Sequence, residues 1–234
     1  MNSRIDPRAA REALSRARLM LVFSPELCVD RDPLAVLEAT LPWVDAIQIR
    51  PKPARGPSGS EAPCAAGETH AWCVRVLDLL TAQRDRRTLV LVDDRVDVAA
   101  VLWERGCAGV HLGQDDCPVA AARALLGSEP LVGLSTHDAA QVAHAAKLQV
   151  DYVGFGPIHA TATKGYTRGV GAEACAAASA LSVQPLFAIG GIGLRHLNGL
   201  ARVGRVAVSS AILCAADPGR AAREMRTQLA IGAC

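Results

Sequence analysis

The sequence predicts a single (β/α)8 barrel, and three observations carry that expectation. Eight short apolar runs recur along the chain, each ending in glycine or polar residues. Helical segments rich in alanine, leucine and arginine lie between them, and 234 residues suit one such domain. Runs that are apolar on both faces fit parallel strands covered by helices. Eight strand–helix units in a domain-sized chain favour a closed barrel over an open doubly wound sheet. No run is followed at once by G-x-G-x-x-G, which counts against a dinucleotide-binding sheet.

The elements follow in order. Asp6-Pro7 reads as an N-cap with proline at the first helical position, and Ala9, Ala10, Ala13, Leu14 and Ala17 form a helical stripe. Residues 1–17 are therefore expected as an N-terminal helical extension and 18–234 as the barrel domain. Arginines 4, 8, 11, 16 and 18 alternate with Asp6 and Glu12, and no apolar leader segment accompanies them, so a targeting peptide is not expected. The strands are expected at Leu19–Phe23, Ala46–Ile49, Leu89–Val92, Gly109–Leu112, Leu131–Leu134, Tyr152–Phe155, Leu186–Ile189 and Val206–Val208. Helices are expected over Val96–Arg105, Val119–Leu126, Ala139–Leu148 and Arg195–Arg202. The second connection differs. Residues 53–68, rich in Pro, Gly, Ser and Ala, read as a mobile loop compatible with a lid, before a helix near Ala71–Ala82. The uncharged stretch 174–194 is long enough to span a membrane, but Gln184, Pro185 and Gly190-Gly191 break it into helix, turn and strand.

Composition narrows the function classes. Half the residues are apolar and only 3% aromatic, so the core must be built from Val, Leu, Ile and Ala. The formal charge is +2 with no Lys/Arg block, so nucleic acid and membrane surfaces lack their electrostatic argument. Eight cysteines are scattered without a CxxC pair or a zinc spacing. Several lie inside apolar segments, which suits reduced core thiols in a cytoplasmic protein.

In a barrel, chemistry lies where strands end and βα loops begin. The second run ends in Gln48-Ile49-Arg50-Pro51-Lys52, and alternation puts Gln48, Arg50 and Lys52 on one side. Two cations and an amide suit an anion, though a solvated strand end fits equally well. The third run ends in Asp93-Asp94 and the fourth in Gly113-Gln114-Asp115-Asp116. Singly, Asp94 and Asp116 read as helix N-caps. Together, on adjacent strands, they can converge on Mg²⁺, which binds through one or two carboxylates plus substrate phosphate and water. The fifth run ends in Ser135-Thr136-His137, and after the sixth comes Thr161-Ala162-Thr163-Lys164, a hydroxyl-rich loop ending in a cation. Gly190-Gly191 after the seventh and Ser209-Ser210 after the eighth stand where barrels bind phosphate through backbone N–H groups. A plain tight turn would also explain the two glycines. Among the histidines, His111 reads as a satisfied interior residue and His144 sits mid-helix. His70, His159 and His196 have no identifiable partner, and His137 alone reads as an acid/base group.

These motifs together resemble the thiamine phosphate synthase family from roughly Leu19 to Pro218. The carriers are Gln48-Ile49-Arg50-Pro51-Lys52, Asp94-Arg95-Val96-Asp97, Gly109-Val110-His111-Leu112-Gly113-Gln114-Asp115-Asp116 and Gly133-Leu134-Ser135-Thr136-His137. Asp151-Tyr152-Val153-Gly154-Phe155-Gly156-Pro157-Ile158, Thr161-Ala162-Thr163-Lys164 and Ala188-Ile189-Gly190-Gly191-Ile192 continue the series. The resemblance implies a barrel enzyme that joins a pyrimidine methyl pyrophosphate to a thiazole phosphate. Pyrophosphate leaves first, and the thiazole nitrogen captures the pyrimidine-stabilised carbocation. It further implies that Gln48, Arg50, Lys52, Asp93, Ser135 and Lys164 hold the pyrimidine pyrophosphate, with Arg50, Lys52, Ser135 and Lys164 acting in catalysis. Asp94 and Asp116 would hold Mg²⁺, and Thr161, Ala162, Thr163, Gly191, Ser209 and Ser210 the thiazole phosphate. The expected partners are thus two phosphorylated small molecules.

The chain departs from the family pattern at several positions. Asp93 stands where the family usually has Asn, and Pro51 where it usually has Glu. An added carboxylate at 93 repels an anion unless it is protonated or draws in more metal, and Pro51 stiffens the strand end and removes an N–H donor. His159-Ala160 replaces the common aromatic-proline pair, and an aromatic is missing near Met20. Three alternatives follow: a same-fold thiazole tautomerase-like isomerase using His137, a paralogue that binds a thiamine precursor without turnover, and an aldolase with Lys164 as a Schiff-base lysine. The last needs a desolvated lysine, which a polar loop does not supply.

Overall fold

The computed structural model describes residues 4–51, 66–85, 87–160 and 168–231. Eight strands run β1 (Leu19–Phe23), β2 (Ala46–Ile49), β3 (Leu89–Asp93), β4 (Gly109–Leu112), β5 (Leu131–Thr136), β6 (Tyr152–Phe155), β7 (Leu186–Ile189) and β8 (Val206–Val208). They pair in parallel, in sequence order, and β8 closes on β1 through Leu19–Val206, Met20–Ala207 and Leu21–Val208. The expected closed barrel is the fold.

The helices are α1 (Pro7–Arg16), α2 (Pro33–Thr40), α3 (Ala66–Ala82), α4 (Val96–Leu102), α5 (Val119–Leu126), α6 (Ala139–Ala145), α7 (Ala172–Leu181), α8 (Ser210–Leu213) and α9 (Pro218–Ile231). Three expectations need correction. α3 begins at Ala66, inside the stretch read as loop, because Ala-Gly-Glu-Thr-His already presents Thr69 to the core. The segment after β7 is a 3-10 helix over Leu194–Leu200, with Gly193 at its head and Gly199 inside it. The segment expected as helix over Val96–Arg105 is α4 followed by a 3-10 turn, Trp103–Arg105, closed by Gly106 in the left-handed region.

Alternation along the strands separates two cores. Leu21, Ile47, Val90, Val110, Val132, Val153 and Leu186 face outward under the helices. Met20, Val22, Ala46, Leu89, Leu91, Leu131, Tyr152, Phe187 and Ala207 fill the barrel interior. Small and large residues alternate there as a packed barrel requires. Tyr152 and Phe187 meet edge to face at 5.8 Å. An added Cβ at Gly133 would stand 2.1 Å from Tyr152 Cζ, so glycine on β5 gives the phenol its room. α1 packs Ala10 and Leu14 against this interior cluster. Its Asp6 cap accepts from the N–H groups of Arg8 and Ala9 as expected. Asp151, just before β6, ties the assembly together by pairing with Arg11 at 2.9 Å and Arg123 at 2.6 Å.

Going up each strand, the same inward positions turn polar: Ala46 then Gln48, Leu91 then Asp93, Leu131 then Ser135. The apolar plug thus ends in a polar layer at the C-terminal mouth. Among the described residues no helix is long and apolar enough to cross a membrane.

Candidate active site

A cavity opens at that mouth. Val22 contributes to its walls, and the lining runs from Gln48, Arg50 and Asp93 through His111, Ser135, Thr136 and His137. It continues with Gly154, Gly156 and Pro157, then Ile189 to Ile192 and Ala207 to Ser210. Gln48 and Arg50 both reach it, as the alternation required.

At the β2–β3 rim the charges meet one another. Arg50 Nε lies 2.8 Å from Asp93 Oδ2, with the two side chains 18% and 10% exposed. The Gln48 amide donates to Asp93 Oδ1. Asp93 is therefore no bare carboxylate facing an incoming anion; the guanidinium expected to hold that anion neutralises it. The salt bridge uses Nε, and a guanidinium offers further N–H donors for a ligand.

On β4 and β5 the side chains interlock. His111, 6% exposed, contacts Tyr152 Oη through Nδ1 at 3.0 Å and Ser135 Oγ through Nε2 at 2.9 Å. The satisfied interior histidine is confirmed, and it also lines the cavity. Gln114 Nε2 donates to the Ser135 carbonyl at 2.5 Å. His137 Nδ1 lies 2.6 Å from the Gly156 carbonyl and its backbone N–H donates to Gln141 Oε1. A carbonyl only accepts, so Nδ1 carries hydrogen and the basic nitrogen of neutral His137 is Nε2.

The two acids of adjacent strand ends lie beside the cavity rather than in its lining. Neither caps its helix. The N-cap of α4 is Arg95, and that of α5 is Pro118. Asp94 sits in the left-handed region at φ 60°, a conformation that disfavours a non-glycine residue. Asp116 Oδ2 turns back to accept from Gly113 N at 2.6 Å. Both acids are exposed. Among the described residues no group of three or more His, Cys, Asp or Glu is placed to hold a metal.

The β7–β8 rim is made of backbone and hydroxyls. Gly191 has φ 64°, and an added Cβ there would come within 2.8 Å of both Ala160 O and His159 Cβ. Only glycine fits so close an approach. Ser209 Oγ is buried and has no hydrogen-bond partner among the described residues. A buried orphan hydroxyl is costly, and its position on a cavity wall points to a ligand. Ser210 follows, exposed, as the first residue of α8.

His159 and His196, which the sequence left without partners, stack with ring centroids 4.1 Å apart, and His196 Nδ1 accepts from Gly193 N. Partial burial, His159 and Arg195 hold the His196 pKa below its ordinary value. Lys52, Thr161, Ala162, Thr163 and Lys164 lie outside the described residues, as does most of the 53–68 loop. Sequence reasoning missed the contribution of Gln114 and His111 to Ser135. The inward parity of His111 on β4, next to β5, was the available signal.

Comparison with known proteins adds the following. The family model for thiamine monophosphate synthase matches residues 19–212. A thiamine-phosphate synthase of Gloeobacter violaceus is 39% identical over 216 residues, covering 90% of this chain and 57% of that protein. One of Azorhizobium caulinodans is 36% identical, covering 89% of this chain and 93% of that protein. The chain spans about half the length of the cyanobacterial relatives it matches. A solved thiamine phosphate pyrophosphorylase from Pyrococcus furiosus superposes with a TM-score of 0.77 at 25% identity, covering 96% of this chain and 99% of that one.

Proposed function

The chain belongs to the thiamine monophosphate synthase family, and from that premise we propose that it joins a pyrimidine methyl pyrophosphate to a thiazole phosphate, forming thiamine phosphate and releasing pyrophosphate. One observation carries the reading. A single cavity is bordered by a cationic rim at Gln48 and Arg50 and by a backbone-and-hydroxyl rim at Gly191 and Ser209. Two anion-suited rims on one mouth match two phosphorylated substrates better than one.

The chemistry asks for positioning and charge stabilisation rather than a nucleophile. The pyrimidine methylene–oxygen bond breaks and its electron pair leaves with pyrophosphate; the thiazole nitrogen lone pair then forms the new carbon–nitrogen bond. Arg50, Gln48 and Ser135, with Lys52 and Lys164, would stabilise negative charge on the departing oxygen. Gly191, Ser209 and Ser210, with the loop at Thr161, Ala162 and Thr163, would hold the thiazole phosphate so that the rings meet. Asp94 and Asp116 would hold Mg²⁺. Two exposed carboxylates on adjacent strand ends suit an ion that takes few protein ligands and completes its shell with phosphate and water. When bound, the ion supplies counter-charge for the pyrophosphate. A cytoplasmic setting accords with Cys28, Cys73, Cys107 and Cys175 being buried free thiols.

The test is a coupled pyrophosphate-release assay with both precursors, with and without Mg²⁺. Release should require both substrates and the ion, and thiamine phosphate should accumulate. Absence of release at saturating substrates and Mg²⁺ removes the proposal. The tautomerase-like reading gains from His137, whose Nε2 is the basic nitrogen on a cavity-lining ring. Turnover that survives chelation and disappears in His137→Ala would select it.

A further inference from the structure

We propose that Tyr152 and His111 form a buried positioning relay that aims the hydroxyl hydrogen of Ser135 into the cavity, fixing Ser135 as a donor to the substrate anion. The inference rests on the reading that this rim binds pyrophosphate, and it assigns roles to two interior residues that the proposed function leaves without one.

The polarity follows from the buried end. Tyr152 is 1% exposed, and among the described residues its hydroxyl has one hydrogen-bond partner, His111 Nδ1 at 3.0 Å. Burial, reinforced by the charges of Asp93 and Asp151, holds the phenol pKa well above its ordinary value, so the phenol keeps its hydrogen. A buried O–H must donate, and Nδ1 is the acceptor within reach. A neutral imidazole that accepts at Nδ1 carries hydrogen at Nε2. His111 Nε2 therefore donates to Ser135 Oγ across 2.9 Å. The serine oxygen is engaged as an acceptor, and its own hydrogen points away from the imidazole toward the cavity it lines. The opposite polarity would leave the phenol hydrogen buried without an acceptor.

Two further contacts hold the relay in place. The missing side chain at Gly133 lets the phenol lie across β5, where an added Cβ would stand 2.5 Å from the hydroxyl. Gln114 grips the Ser135 carbonyl from the β4 loop. The Ser135–His111 distance alone would suit a nucleophile and its general base. The phenol reverses that meaning: an imidazole already protonated at Nε2 does not take the serine hydrogen. Ser135 is a donor here, not a nucleophile.

The experiment has two readouts on the full chain. Long-range ¹⁵N–¹H NMR of the histidine rings should place His111 in the Nε2–H tautomer; an Nδ1–H tautomer or a doubly protonated ring overturns the relay. Inorganic pyrophosphate with Mg²⁺ is then titrated into wild type, Tyr152→Phe, Ser135→Ala and the double variant. Tyr152→Phe should weaken binding by about three- to tenfold, the scale of one hydrogen bond. The same change should have no effect in the Ser135→Ala background. No effect in the wild-type background, or an equal loss in both backgrounds, overturns the relay. Should pyrophosphate bind none of the four proteins, the functional reading fails while the tautomer still decides the relay.

Discussion

The two rims of the cavity handle an anion by opposite means. On the β2–β3 side, cation, carboxylate and amide already pair among themselves: Arg50 with Asp93, and Gln48 with the same carboxylate. On the proposed function, an arriving pyrophosphate would compete with Asp93 for the guanidinium. On the β7–β8 side none of the described lining residues is charged. A left-handed glycine lets the backbone come close, and a buried serine hydroxyl has no partner among the described residues. The difference teaches that affinity at the first rim is an exchange of partners, sensitive to charge and salt. At the second it would be a matter of shape and of the Ser209 hydroxyl, which no described residue satisfies.

The largest effect should come from breaking the charged rim. Arg50→Ala removes the cation proposed to meet the ligand and takes from Asp93 its guanidinium partner. Truncating one partner of such a pair should lower kcat/KM by about 10²–10³-fold. In thermal unfolding, adding Asp93→Asn to Arg50→Ala should restore stability without restoring turnover, since the carboxylate loses its charge but no cation returns. Next in size is Gly191→Ala at the neutral rim. A left-handed alanine costs about 1–2 kcal/mol, and its Cβ would press on Ala160 O and His159 Cβ. The KM for thiazole phosphate should rise about tenfold or more, at 1.4 kcal/mol per decade. The KM for the pyrimidine pyrophosphate should hold. Equal changes in both constants would mean that the rims are not separate sites.

The asymmetry also explains what the sequence could tell. Strand positions were legible because eight short runs apolar on both faces, each ended by glycine or polar residues, mark buried parallel strands, and six of the strands begin and end where the runs do. Gln48, Arg50 and Asp93 could be placed at the mouth by parity alone. Their mutual pairing could not, because register between β2 and β3 is a property of barrel closure and not of either strand. The helix starts were misjudged where composition misled: Ala and Gly near 66 read as loop, yet Thr69 and Cys73 are buried at helical spacing. Asp94 and Asp116 looked like caps because caps are the common use of an acid before a helix. The caps are instead Arg95 and Pro118, while Asp94 sits at a left-handed φ and the Asp116 carboxylate accepts from Gly113 N.

A smaller and more diagnostic change is Asp93→Asn alone. It keeps the side-chain shape and an oxygen for Gln48 while removing the charge that competes for Arg50. Pyrophosphate affinity, read by calorimetry with Mg²⁺, should improve by about three- to tenfold, the scale of one hydrogen bond to the guanidinium regained by the ligand. The gain should shrink as salt rises. A protein that binds precursors without turnover, and gains turnover only with this substitution, would be the non-catalytic paralogue that the Asp93 departure suggests. Unchanged affinity would mean that Arg50 meets the anion through its remaining donors with Asp93 still in place.

Ser209→Ala should have an effect no larger than that of Asp93→Asn, and its two halves should have opposite signs. Among the described residues Ser209 Oγ is buried without a partner, so replacing the hydroxyl removes an unsatisfied group and should leave stability unchanged or raised by about 0.5–1 kcal/mol. With thiazole phosphate bound, the same substitution deletes a donor to a charged oxygen and should weaken affinity by about three- to tenfold. Thermal shift with and without inorganic phosphate separates the halves. A hydroxyl that serves only packing would destabilise in both states, whereas one reserved for the ligand destabilises only the complex. Arg50 offers the contrast, because it already has a protein partner and its loss should harm both states. Should Ser209→Ala behave as Arg50→Ala does, the neutral rim would be as internally satisfied as the charged one, and the orphan hydroxyl would lose its meaning as a phosphate ligand.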